Sequence, residues 1–202
     1  RRHVLGFLLG NRENQDSWEA LIQDLLKRGL DVQSLRLVIS DEHKGIEAAV
    51  SHLLGVTHQL CIVHLLRNVK ARVAAPNWKA VLADLHAIFW AKTREEAIRA
   101  SGVFQARWQD RYPKAVEILT RRFEDHLHFF KEPEPLWTLL RSSNLIERFN
   151  RELRRRLRPA GAMHSELEVT KLVWAVSEAQ QKRWNNRRVW RTKTKDQEAL
   201  AA

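Results

Sequence analysis

The first 64 residues alternate short apolar runs with amphipathic stretches, and the residues after them do not. That change of rhythm limits the possible folds more than any other feature. His3–Leu9, Leu35–Ser40 and His58–Val63 are apolar runs of strand length, and the stretches between them have helical periodicity. Strand, helix, strand, helix, strand is the α/β pattern, in which crossover helices cover a parallel sheet. The spacing predicts that Asp16 and Glu19 cap the first helix, that Trp18, Leu21, Ile22, Leu25 and Leu26 line one side of it, and that Gly29 ends it. His43 to Leu54 reads as the second helix, closed by Gly55.

From residue 65 to about 130 the pattern is helical throughout. Trp78–Ala91 is amphipathic, Thr93 and Glu96 have capping-box spacing, and Pro113 suits the first turn of a helix expected to reach Phe130. KEPEPL (131–136) cannot continue a helix and reads as a linker. A helix then runs from about 141 to a break at Pro159–Gly161, and a last one spans roughly 165–188 before a polar tail. The chain opens inside an apolar run, which predicts a fragment of a longer protein. By domains, 1–64 would be the α/β part, 65–140 a helical insertion, 141–190 the helices completing the core, and 191–202 the tail.

The helix after the linker carries the chemistry. Ile146, Phe149, Leu153 and Leu157 form an apolar stripe expected to face a core. Glu147, Asn150, Arg151, Arg154 and Arg158 share the neighbouring face. One carboxylate among arginines suits a phosphate-handling site, where a divalent cation takes the carboxylate and the arginines take a nucleic-acid backbone. The plain alternative is a solvated Glu147–Arg151 pair, contributing a few tenths of a kcal/mol. Composition weighs toward the first: 35 Lys+Arg against 24 Asp+Glu give +11, and such an excess points to a polyanion. No stretch approaches the roughly 20 apolar residues of a membrane span, so a cytoplasmic, nucleoid-associated protein is expected over a membrane-surface one. Cys61 is the single cysteine, which excludes an intrachain disulfide. Most of the eight tryptophans are expected in core, with one or two available to stack on bases.

Asp41, in SDEHKG (40–45), directly follows an apolar strand, and strand carboxyl ends are where α/β sheets gather ligands. It could equally cap the helix starting near His43, and both roles are compatible. His43 reads as a helix-start residue rather than a base. His58, Cys61 and His64 invite a zinc reading, but structural zinc wants four ligands and a strand would split His58 from Cys61, so packing is favoured. Gly-rich phosphate loops and a GxSxG elbow are absent from the sequence.

Taken together, SDEHKG, CIVHLLRN (61–68) and SNLIERFNRELRRR (143–156), with HVLGFLLGNRENQDSW (3–18) and YPKAVEIL (112–119), resemble the Mutator-type transposases of bacterial insertion sequences. The resemblance runs from residue 1 to about 188. It implies an α/β, mostly helical chain: a partial RNase H-like fold retaining its last three strands, with a large all-helical insertion before the catalytic helix. It implies an Asp-Asp-Glu triad in which Asp41 is the second aspartate and Glu147 the glutamate, both holding Mg²⁺ (or Mn²⁺). Cys61 and His64 correspond to a C-x-x-H signature, and Asn144, Arg148 and Asn150 to signature residues around the glutamate.

The first triad aspartate and first two strands of such an enzyme lie upstream of these residues, so the chain alone is expected to be inactive and marginally stable. The partners expected are double-stranded DNA, as element ends and target, and further copies of the protein assembled on it. Phosphate contacts are expected from Arg151, Arg154, Arg155, Arg156 and Arg158, then from Lys182, Arg183, Arg187 and Arg188. The competing reading is a remnant that binds or regulates DNA without cutting it; a purely structural scaffold explains the charge poorly.

Overall fold

A computed structural model describes residues 2–9, 14–157 and 165–186. It divides into two compact units, Arg12–Leu145 and a second made of Arg1–Asn11 with Ile146–Ala202. Arg158, the Pro159–Gly161 break, Arg187, Arg188 and the tail, for which the sequence set expectations, lie outside the described residues.

In the first unit, α1 (Gln15–Lys27) starts one residue before Asp16, the residue expected to cap it. Its cap is Asn14, whose side chain accepts from the Ser17 amide while Ser17 Oγ accepts from the Asn14 amide. The expected Asp16–Glu19 box is therefore replaced by one set two residues earlier. Glu19 instead accepts from Gln15 and meets His52. The helix closes where expected, because Gly29 takes φ +95°, a region without steric cost only for glycine.

β1 (Leu37–Ser40) and β2 (Thr57–Leu60) pair in parallel, with Leu37 opposite Thr57 and Ser40 opposite Leu60. α2 (Lys44–Leu53) connects them and packs on α1 through Ala49, Val50 and Ile22. Gly45 is required by this packing: a Cβ there would lie 2.9 Å from the backbone of Asn14 and Gln15. Sheet pairing ends at Leu60, so Cys61 caps α3 (Ile62–Lys70) rather than continuing a strand. Ile62, Leu65 and Val69 recur at helical spacing and turn one face into the core, which a strand could not do.

α4 (Ala75–Phe89), α5 (Arg94–Trp108) and α6 (Pro113–Thr120) complete a helical block. Its core is dry: Val69, Val81, Leu85, Phe89, Phe104 and Phe129 have no exposed surface. Thr93 caps α5 by accepting from the Glu96 amide, as its spacing predicts. The helix begun at Pro113 stops at Thr120, short of Phe130. Two 3-10 turns, Glu124–His126 and His128–Lys131, replace its continuation and let His126 and Phe129 face inward. The KEPEPL stretch folds into a third 3-10 turn (Glu134–Leu136) leading to α7 (Trp137–Leu140).

In the second unit, α8 (Asn144–Leu157) is continued from the first, and α9 spans Glu166–Asn186. Phe149 is buried and tilts against Trp184, but Ile146 is 57 % exposed, so the apolar stripe does not seal along its whole length. The apolar run His3–Leu9 is not a strand. It has no ladder partner among the described residues, and Leu5, Leu8 and Leu9 are exposed. An apolar run makes a strand only where a neighbour takes its backbone groups; here the Val4 amide donates to the Gln181 side chain instead. The described sheet thus has two strands, not the expected three.

Candidate active site

Asp41 sits at the carboxyl end of β1, half-buried, in a turn fixed from both sides. Its carbonyl accepts from the His43 amide (3.0 Å) and from Ser40 Oγ (2.7 Å). Since the Ser40 hydroxyl has one proton and spends it there, the 2.8 Å contact with His58 must be His58 Nε2–H donating to Ser40 Oγ. Burial lowers the His58 pKa and so favours the neutral ring, in the tautomer that carries the proton on Nε2. His58, considered for zinc, is therefore a backbone anchor for the Asp41 turn. His43 is the helix-start residue expected: its Nδ1 accepts from the Gly45 amide.

The acidic neighbours of Asp41 are neutralised. Glu42 pairs with Arg121, and Arg122 bridges Glu47 (2.6 Å) and Asp125 (2.7 Å). Both arginines lie just past α6, so the helical block supplies the cations for the α/β corner. The Asp41 carboxylate has no hydrogen bond or ion pair among the described residues. A half-buried carboxylate left open beside arginine-paired ones is a hard oxygen donor suited to a divalent cation.

The C-x-x-H residues join this turn to the lead-in of α8. The Cys61 amide donates to the Ser40 carbonyl (2.8 Å), and the Ile62 amide to the Arg141 carbonyl (2.9 Å). Cys61 Sγ accepts from both the amide and hydroxyl of Ser143, each at 3.3 Å. Two consecutive residues thus hold both the strand end bearing Asp41 and the segment Arg141–Ser143. His64 lies one turn along α3 and meets Arg67 at 3.4 Å.

Gln59 was not legible as a key residue. It is fully buried, donates to the carbonyls of Leu60 (2.8 Å) and His126 (3.0 Å), and accepts from the Phe129 amide (2.9 Å). His126 Nδ1–H donates back to the Leu60 carbonyl (3.2 Å), and burial pushes its pKa down to about 4. A polar residue inside an apolar run was the available signal, since a buried amide must find partners.

Glu147 lies in the first turn of α8, half-buried, with Asn144 ahead of it and exposed Arg148 and Asn150 after it. Arg151, one turn further along α8, is exposed. Arg155 and Arg156 are less free than expected: both bond to Glu152, at 2.9 and 3.0 Å, and hold its carboxyl at about 2. Their spacing of three and four from Glu152 is the missed signal. Arg154 donates to the Asn150 carbonyl, and Lys182 and Arg183 are exposed on α9.

Residues 1–187 match the family profile described as "Transposase, Mutator family". The chain is 33% identical over 192 residues to the transposase for insertion sequence element IS406 of Burkholderia multivorans, covering 94% of this chain and 49% of that protein. It is 32% identical to the transposase for IS1081 of Mycobacterium tuberculosis (91% of this chain, 44% of that protein). With the transposase for IS905 of Lactococcus lactis the identity is 31% (77% and 39%). The chain spans less than half the length of these relatives. It belongs to the Mutator family of transposases.

Proposed function

We propose that the chain is part of the catalytic region of a DNA transposase with an RNase H-like core, in which Asp41 and Glu147 are metal-binding carboxylates. The observation that carries this reading is the open carboxylate of Asp41 among neighbours that arginines neutralise. A carboxylate such as that of Asp41, without a protein counter-ion, fits Mg²⁺ or Mn²⁺, which keep several waters and take one or two carboxylates. When bound, such ions activate a water or 3′-hydroxyl and stabilise the leaving oxygen. The chain's own residues do the rest. Ser40 and His58 fix the Asp41 turn, Cys61 and Ile62 fix the lead-in to α8, and Arg148, Arg151 and Arg154 offer cations to the DNA backbone. The substrates would be element ends and target DNA, and copies of the protein would assemble on them.

No described helix is long and apolar enough to cross a membrane. On this reading the 202 residues contribute two of three triad carboxylates, and activity belongs to the complete natural protein. In that protein, Glu147→Gln or Asp41→Asn should abolish Mg²⁺-dependent cleavage and strand transfer, a loss of 10³-fold or more on the order of several kcal/mol. DNA affinity should stay unchanged or rise. Retained strand transfer in Glu147→Gln would remove the metal-site assignment. Binding with no divalent dependence and no cleavage in the unaltered protein would favour the regulatory alternative.

A further inference from the structure

Arg141 ends the segment between α7 and the Ser142–Ser143 lead-in to α8, and it is only 9 % exposed. Its guanidinium lies over three rings, Phe129 at 5.0 Å, Trp90 at 5.2 Å and Trp137 at 5.9 Å. Such rings stabilise the cation through their faces. As hydrogen-bond acceptors they are weak, so they do not replace oxygen partners for its N–H groups. Nε is buried with no hydrogen-bond partner, and no side-chain hydrogen bond or ion pair satisfies the guanidinium among the described residues. Arg122, more exposed, has two carboxylates. A desolvated cation left without an anion is unfavourable, and the direction of the Arg141 pKa, lowered by burial, agrees. If packing alone were needed among these rings, an uncharged side chain of similar length would meet it.

The surroundings indicate which anion is missing. Trp90 is 47 % exposed and stacks on His86 at 4.4 Å, so the ring cage borders solvent. The chain has a large cationic excess, and the open donors form the planar fork that matches two oxygens of one phosphate. We propose that Arg141 binds a phosphodiester group of a DNA strand, making the ring cage a built phosphate site at the lead-in to the Glu147 helix. This rests on the reading that DNA is the substrate.

The test is DNA binding by the complete protein, using a random-sequence duplex in EDTA across a range of KCl, alongside thermal melting. Arg141→Met keeps an unbranched chain among the rings and removes the charge. It should bind about 10-fold more weakly, lower the salt slope by about 1, and melt no earlier than the natural protein. A folded Arg141→Met with unchanged affinity and slope overturns the proposal, as does a loss confined to melting temperature. Should that variant not fold, Arg141→Lys keeps the cation and loses the fork. It should weaken binding about 3-fold with the slope retained, and unchanged affinity overturns the proposal. Failure of the unaltered protein to bind DNA would remove the DNA reading itself. Binding without Mg²⁺-dependent cleavage would remove only the metal-site assignment.

Discussion

The helical block and the α/β corner of residues 12–145 are built to different standards. The block buries Phe89, Phe104, Leu85 and Leu119 completely, whereas the corner has two four-residue strands and a buried cluster of Ile22, Ala49 and Val50. Yet the corner carries Asp41. Its precision comes from polar ties to the block: Gln59 and His126 on one side, Arg121 and Arg122 on the other. A small sheet can therefore hold the Asp41 turn in register when a larger core anchors its far side. The helical block serves as the scaffold.

Three measurements test this contrast. The largest expected effect is in the block. Phe89→Ala should cost about 3–5 kcal/mol by denaturant unfolding, against about 1 kcal/mol for Val38→Ala in the half-buried corner. Equal losses would contradict the division of labour. Next comes pH. His126 titrates near 4 when folded and near 6.5 when unfolded, so the unfolded chain takes up its proton first as pH falls. Its stability contribution is intact above about pH 6.5, declines toward about pH 4 and levels off below, with a ceiling of about 3 kcal/mol. His126→Phe should flatten that part of the stability–pH curve; an unchanged curve would remove His126 as the buried titrating tie. The smallest effect belongs to the corner's own packing. Gly45→Ala should cost about 1–3 kcal/mol, because its Cβ would strike backbone rather than a flexible side chain. A neutral substitution would show that α1 can shift away freely.

What the sequence revealed followed from local rules. Gly29 and Gly55 closed helices, Thr93 and Pro113 opened them, and the sequence motifs identified the family. What it hid depended on distant partners. The run His3–Leu9 has strand composition, but a strand is a property of two segments, and composition cannot supply the second. Cys61 looked like strand because Cys-Ile-Val is apolar; only the core contacts of Ile62, Leu65 and Val69 reveal a helix. Gln59 was hidden because its partners lie 67 and 70 residues away. At the site, the residue types of Asp41 and Glu147 were legible. That Glu42 and Glu47 are neutralised and Asp41 is not became visible only with the arginines beyond α6 in place.

On the function we propose, Asp41 and Glu147 hold the metal while the carboxylates beside Asp41 serve structure. Iron-directed backbone cleavage reads this without any need for turnover. Fe²⁺ with ascorbate and peroxide, added to the complete protein, should cut the chain beside residues 41 and 147. Excess Mg²⁺ should suppress the cuts, Asp41→Asn should remove them, and Glu42→Gln should leave them in place. Cuts elsewhere, or cuts that persist in Asp41→Asn, would show that these two carboxylates do not hold the metal.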